Sequence, residues 1–191
     1  MIGNDIIDLK QAAKDSPDSY RDGKRYQRFL DKVFTKKEQQ LISNSKDQYQ
    51  VVWLLWSMKE AAYKVNVQQF GKRFFNPKRL ECELFYNNKG QVTIDGNLYF
   101  TLSMATEEFI HSIATLEPEH YFKSAWFKVE SLDYKTQSKT LKKKLLESLN
   151  IDFLELRKDS LGVPILFLES QELDISISFS HHGSFSSYSI L

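Results

Sequence analysis

The sequence predicts an α+β protein in which antiparallel sheets pack against helices, arranged as two pseudo-symmetric lobes. Three observations carry that expectation. Residues 48–69 repeat apolar side chains at helical spacing and are closed by Gly71; four β-rich runs after Pro77 are separated by turn residues; and a second set of such runs fills 153–191 in the same order.

At the start, Ile2, Ile6 and Ile7 favour an extended, packed backbone, so 2–9 reads as a core strand in which Asp5 and Asp8 stand out. Residues 10–22 contain Ser-Pro among polar side chains and read as a connection. From Lys24 the chain turns helical, with Tyr26, Phe29, Leu30 and Phe34 on one stripe. Thr35 stands three residues before Glu38, the spacing of a capping box, so a new helix starts there. In 48–69, Val51, Val52, Leu55, Met58, Ala62 and Val65 mark the apolar side of an amphipathic helix. Glu60 and Lys64, four apart, share another face, and Gly71 supplies the left-handed residue that ends it.

Beyond Pro77 the runs 80–86, 91–94, 98–105 and 109–116 are separated by NNKG, DGN and a TEE turn, which predicts an antiparallel meander. A strand at 126–129 and a helix over 136–149, with Leu141, Leu145 and Leu149 at intervals of four, come next. Strands follow at 153–157, 164–168, 173–180 and 185–191. LECELFYNNKGQVTI lies on LELRKDSLGVPILFL, and YFTLSMATEEFIHSIATL on DISISFSHHGSFSSYSIL. This internal duplication predicts a lobe at 1–116 and a lobe at 117–191, packed as one unit with a cleft where they meet.

A chain of 191 residues buries a core without staples. Its one cysteine, Cys82, forms no internal disulfide, which fits a reducing compartment and predicts the cytoplasm. No run approaches the roughly 20 apolar residues of a membrane span, and the first residues read as part of the fold rather than a leader. With 26 basic and 25 acidic side chains, long-range attraction to nucleic acid is weak, although Phe and Tyr mix with lysine in 70–86. No nucleic-acid or membrane partner is expected.

Three local features invite chemistry: Asp5 in an apolar strand, Glu60 with Lys59 and Lys64 on a helix, and Ser180, His181 and His182 before Gly183. Two carboxylates and water oxygens suit magnesium, and lysine and histidine suit phosphate. The bland reading makes Glu60 and Lys64 a surface ion pair and the two histidines turn residues.

Several segments resemble motifs of the 4'-phosphopantetheinyl transferase superfamily. IGNDIIDL is similar to the strand with its first magnesium-binding aspartate, and RFLDKVFTKKE to the segment with Arg28, Phe29, Phe34, Thr35 and Glu38. WSMKEAAYK resembles Trp-x-x-Lys-Glu-Ala-x-x-Lys, supplied by Trp56, Lys59, Glu60, Ala61 and Lys64. GVP and SFSHHG resemble the Gly-x-Pro turn and Ser-x-Ser-His segment, here Gly162, Pro164, Ser178, Ser180 and His181. The motif order is that of the holo-acyl-carrier-protein synthase branch, over 2–83 and 154–191.

The resemblance implies that phosphopantetheine passes from coenzyme A to a serine of an acyl or peptidyl carrier protein, in fatty-acid or secondary metabolism, with release of 3',5'-adenosine bisphosphate. Asp5 and Glu60 would hold magnesium, Lys64 would clamp phosphate, and Lys59, Ser180 and His181 would complete the coenzyme A site. Asp5, Glu60 and Lys64 form the catalytic set. The proton acceptor stays open between Glu60 and a magnesium-bound water. The small enzymes of this branch are trimers, but a two-lobed chain implies a monomer with one active side, because 98–116 lacks the Ser-His segment. Ile7 stands where larger relatives often have an acid. Val163 stands where many relatives have lysine, a contact that Lys158, Arg157 or a basic residue of 72–79 would replace. Arg21, Lys24, Arg25 and Arg28 are candidates to steer the carrier, Trp56 belongs to the core, and His111 and His120 are expected to be structural or exposed. The alternative is a coenzyme A or carrier-binding protein that keeps the fold without transfer.

Overall fold

A computed structural model describes residues 1–15, 22–74, 76–118, 121–130 and 133–191. Strand β1 (Ile2–Asp8) opens the chain and is buried throughout. Helix α1 (Leu9–Asp15) follows directly, where a connection was expected. Asp8 Oδ1 accepts the Lys10 and Gln11 amides at 2.9 and 3.1 Å, so the strand's last side chain caps the helix. Helix α2 (Gly23–Val33) is capped by Asp22, and α3 (Lys36–Asn44) by the Thr35/Glu38 capping box that the spacing predicts. Helix α4 (Gln48–Phe70) ends at Gly71 in the left-handed region, also as predicted. It is not an amphipathic surface helix. Trp53, Ser57, Lys59, Asn66 and Val67 are buried along with the apolar stripe, because it runs through the middle of the main core.

After a 3-10 turn at Pro77–Arg79 come β2 (Leu80–Leu84), β3 (Lys89–Ile94), β4 (Asn97–Ala105) and β5 (Phe109–Thr115), the expected meander. Sheet order is β1-β5-β4-β3-β2, with every pairing antiparallel. Gly3 fixes how closely β1 and α4 approach, since a Cβ there would stand 2.0 Å from the Ala61 carbonyl oxygen. Asp5, two residues along the same strand, therefore faces α4 as well.

The second half repeats this plan. It contains β6 (Lys123–Lys128), α5 (Tyr134–Leu149), β7 (Leu154–Lys158), β8 (Pro164–Leu168), β9 (Gln171–Glu172), β10 (Ile177–His182) and β11 (Phe185–Ile190). Two three-stranded sheets form, β10-β11-β6 and β7-β8-β9. In pairing, β6-β11-β10 matches β1-β5-β4, and β8-β7 matches β3-β2. Leu154 pairs with Leu168 as Leu80 pairs with Ile94, which agrees with the first sequence alignment. The second alignment is out of register: it maps Ala105–Ile110 onto Ser180–Phe185, whereas Ser180 pairs with Ser187. The strand expected at 173–180 begins later, because Leu173 turns back to donate to Leu166 O at 2.9 Å.

The halves differ in one respect that makes a site. Strands β3 and β4 are paired, whereas their counterparts β8 and β10 lie in separate sheets. The space between them is the cleft.

Candidate functional site

A cavity of about 460 Å³ opens there, with Asp5 of β1, Glu60 and Lys64 of α4, and Ser180 and His181 of β10 among its lining residues. Gly162, Val163 and Pro164 form another wall. The residues assigned to metal and coenzyme A therefore converge, with one exception.

That exception is Lys59. It does not line the cavity; it is 2% exposed, and its ammonium donates to Val33 O, Glu38 Oε2 and Pro77 O at 3.0, 2.8 and 3.0 Å. Its ammonium is buried away from the cleft, whereas Lys64 stays partly exposed in it, so the expectation that Lys59 contacts coenzyme A is corrected: it ties α4 to α3. Glu38 completes the knot by accepting the Thr35 amide at 2.7 Å and the Cys82 amide at 2.9 Å.

Asp5 is 7% exposed. Its Oδ1 accepts from Ser180 Oγ at 2.9 Å and from Lys64 Nζ at 3.4 Å, while its buried Oδ2 has no hydrogen-bond partner. Burial first, and the neighbouring Asp5 second, push the Glu60 carboxyl up to about 6, with Lys64 opposing. An orphaned carboxylate oxygen beside a carboxylate that resists ionisation marks a spot short of positive charge, and this donor set fits magnesium. Among the described residues no group of three or more His, Cys, Asp and Glu could hold a metal, and Asp5 and Glu60 are the two carboxylates that line the cleft. Asp8 is not a third: its oxygens take the α1 amides and the Ser184 amide. Burial raises its proton affinity, but the backbone hydrogen bonds and His182 outweigh this and leave the carboxyl below its ordinary range.

Lys64 Nζ also donates to Asn4 O at 2.6 Å and Phe179 O at 3.3 Å, so it joins β1 to β10 while lining the cleft. Ser180 accepts the Ile6 amide at 3.1 Å as it donates to Asp5. His181 lies 4.9 Å from the Tyr134 ring; burial, then Lys64, Lys158 and His182, lower its proton affinity, while Asp5 opposes. Its ring is therefore biased to neutrality.

Of the groups expected to replace a lysine at 163, Arg73 and Lys158 line the cavity and are exposed at its mouth. Arg73 donates to Leu161 O, and its guanidinium packs against Gly162. Arg157 instead pairs with Glu155 and stacks on Phe167. Lys24, Arg25 and Arg28 are exposed on α2, which contributes nothing to the cavity; Arg21 and His120 lie outside the described residues. His111 is buried, with Nε2 unpartnered. Trp56 packs against the main core, as expected. Gln68, Tyr63 and Tyr134 line the cleft and escaped the sequence reading. For Gln68 a signal existed, since it continues the four-residue spacing of Glu60 and Lys64.

Residues 1–129 match the family model of the 4'-phosphopantetheinyl transferase superfamily. The chain belongs to that superfamily, and phosphopantetheinyl transfer is its class of reaction. The match runs on through 84–129, which the motifs had left unassigned. A solved structure, the holo-[acyl-carrier-protein] synthase of Thermotoga maritima, is similar at 14% identity and a TM-score of 0.44, covering 90% of this chain and 83% of that one. No curated protein matches the chain. Among the described residues no helix is long and apolar enough to cross a membrane.

Proposed function

We propose that the protein transfers 4'-phosphopantetheine from coenzyme A, with magnesium, to a serine of an acyl or peptidyl carrier protein. The observation that carries this reading is the convergence of Asp5, Glu60, Lys64 and His181 on one cleft. The serine oxygen forms a bond to the phosphorus nearest pantetheine, the bond from that phosphorus to the bridging oxygen breaks, and 3',5'-adenosine bisphosphate leaves. Magnesium, held by Asp5 and Glu60, would supply positive charge to the phosphate oxygens. Lys64 orients the pyrophosphate, with His181, Arg73 and Lys158 offered to the remaining phosphate oxygens. Ser180 holds Asp5 in place. Glu60 is also the side chain offered to the serine proton.

The reading extends to two lobes, 1–116 and 117–191, in one cytoplasmic monomer with one active side. At the pseudo-equivalent position on β6, paired as Asp5 is paired on β1, stands Ala125, which offers no ligand.

The test is Glu60→Gln, compared with wild type for release of 3',5'-adenosine bisphosphate in the presence of coenzyme A, magnesium and apo-carriers. A folded variant slowed about 10²-fold or more supports the assignment. Unchanged release would rule out Glu60 as an essential ligand or base.

A further inference from the structure

Every second amide of β1 turns away from β5, and each ends on a side chain of the other half. Ile2, Asn4, Ile6 and Asp8 donate to Ser176 Oγ, Ser178 Oγ, Ser180 Oγ and His182 Nδ1 at 2.9, 2.9, 3.1 and 3.0 Å. The carbonyls of that edge are met from α4. Gln68 Nε2 donates to Ile2 O at 2.8 Å and to Ile177 O at 3.3 Å. One turn earlier, Lys64 Nζ donates to Asn4 O at 2.6 Å and to Phe179 O at 3.3 Å. Strands β1 and β10 belong to separate sheets and are joined through these side chains.

The two bridges form a series. Four residues of α4 advance about 6 Å and two residues of a strand about 6.7 Å, so helix and strands stay in step. The next position on the helix is Glu60, and the next on the strands are Ile6 and His181. There the series has a carboxylate, which when ionised has no proton to give to a carbonyl.

We propose that this seam is a positioning device with one open rung, which closes when a cation stands between the Glu60 carboxylate and the carbonyls of Ile6 and His181. Cation loading, not folding alone, then completes the alignment of Asp5 on β1 with His181 on β10. Gln68, Ser178 and His182 are positioning residues that act through those two. The cation rests on the proposed function, whereas the closed rungs do not.

The experiment is amide hydrogen exchange by NMR, with and without magnesium, on wild type, Glu60→Gln and Glu60→Leu. Magnesium should slow exchange of the Ile6 and Asp8 amides in wild type. Glu60→Gln supplies the amide donor that Gln68 supplies, so exchange should be slow without magnesium and indifferent to it. Glu60→Leu removes the charge without a donor and should exchange fast in both conditions. Equal slowing in Glu60→Leu and Glu60→Gln would reduce the effect to charge relief and overturn the open rung, as would wild-type exchange that ignores magnesium. Should the glutamine variant fail to fold, the wild-type response decides.

Transfer kinetics test the positioning residues. Ser178→Ala and His182→Leu should lower kcat about tenfold or more with the carrier KM unchanged. His182→Asn, which keeps an acceptor for the Asp8 amide, should recover most of it. Folded Ser178→Ala and His182→Leu proteins with wild-type kcat would overturn the role. If wild type transfers nothing, the proposed function fails, but the exchange result still stands, because it uses neither carrier nor coenzyme A.

Discussion

Glu60, half-buried, and His111, buried, have proton affinities that move in opposite directions, and both shifts link to stability. Glu60 binds its proton more tightly in the fold, at about 6 against an ordinary 4.5, because burial and then Asp5 resist its charge. Its contribution is fully present below about 4.5 and lost as pH rises through about 6, a matter of about 2 kcal/mol. His111 is pushed down to about 4 from 6.5 by burial and then Lys64. Its neutral form contributes stability above about 6.5, and about 3 kcal/mol of it is lost as pH falls through about 4. The two windows overlap and their slopes oppose, so metal-free Glu60→Gln should steepen the rise of stability with pH between about 4.5 and 6, and His111→Leu should remove or reverse that rise. Chemical denaturation from pH 4 to pH 7 reads both, and parallel curves for all three proteins would contradict the linkage. Asp5, Glu60, Lys64 and His181 were legible in the sequence because short motifs carry them. The fate of Lys59 was not: it shares its motif with Glu60, and only the tertiary partner Glu38 shows that it points into the core.

At the scale of elements, two contacts set where the cleft residues stand. Gly3→Ala drives a methyl group into the backbone of α4, which no rotamer can relieve. Overpacking of this kind costs about 1–3 kcal/mol or more, and a Tm within a degree or two of wild type would show that β1 can shift freely. Lys59→Met leaves Glu38 charged and buried, a loss of about 3–5 kcal/mol. Because Lys59 is outside the cleft, coenzyme A affinity of the folded variant should stay at the wild-type value; a large loss by calorimetry at low temperature would restore Lys59 to the ligand set. The meander was legible because turn residues punctuate alternating strands. Helix α1 was not, since its cap is the side chain of Asp8 in the preceding strand. The two-residue β9 carries too little pattern to be read.

For the whole molecule, the duplicated strand order was legible, but its register was not: a one-residue slip between similar strands leaves composition unchanged while exchanging their faces. The splaying of β8 from β10 left no local mark either, and it is what turns a repeated sheet into a cleft. A fragment of residues 1–116 would strip the β1 amides of their four side-chain acceptors and expose Ile6 and Phe109, which pack on Phe185. It should aggregate or melt without cooperativity, and a soluble fragment with a sharp transition would contradict this interdependence of the halves. The central claim is transfer itself. Intact-protein mass measurement of a panel of apo-carriers, after incubation with the protein, coenzyme A and magnesium, tests it most directly. The expected result is a gain of one phosphopantetheine on at least one carrier, lost when its acceptor serine is replaced by alanine. Unmodified carriers throughout the panel, alongside a folded protein that binds coenzyme A, would contradict it.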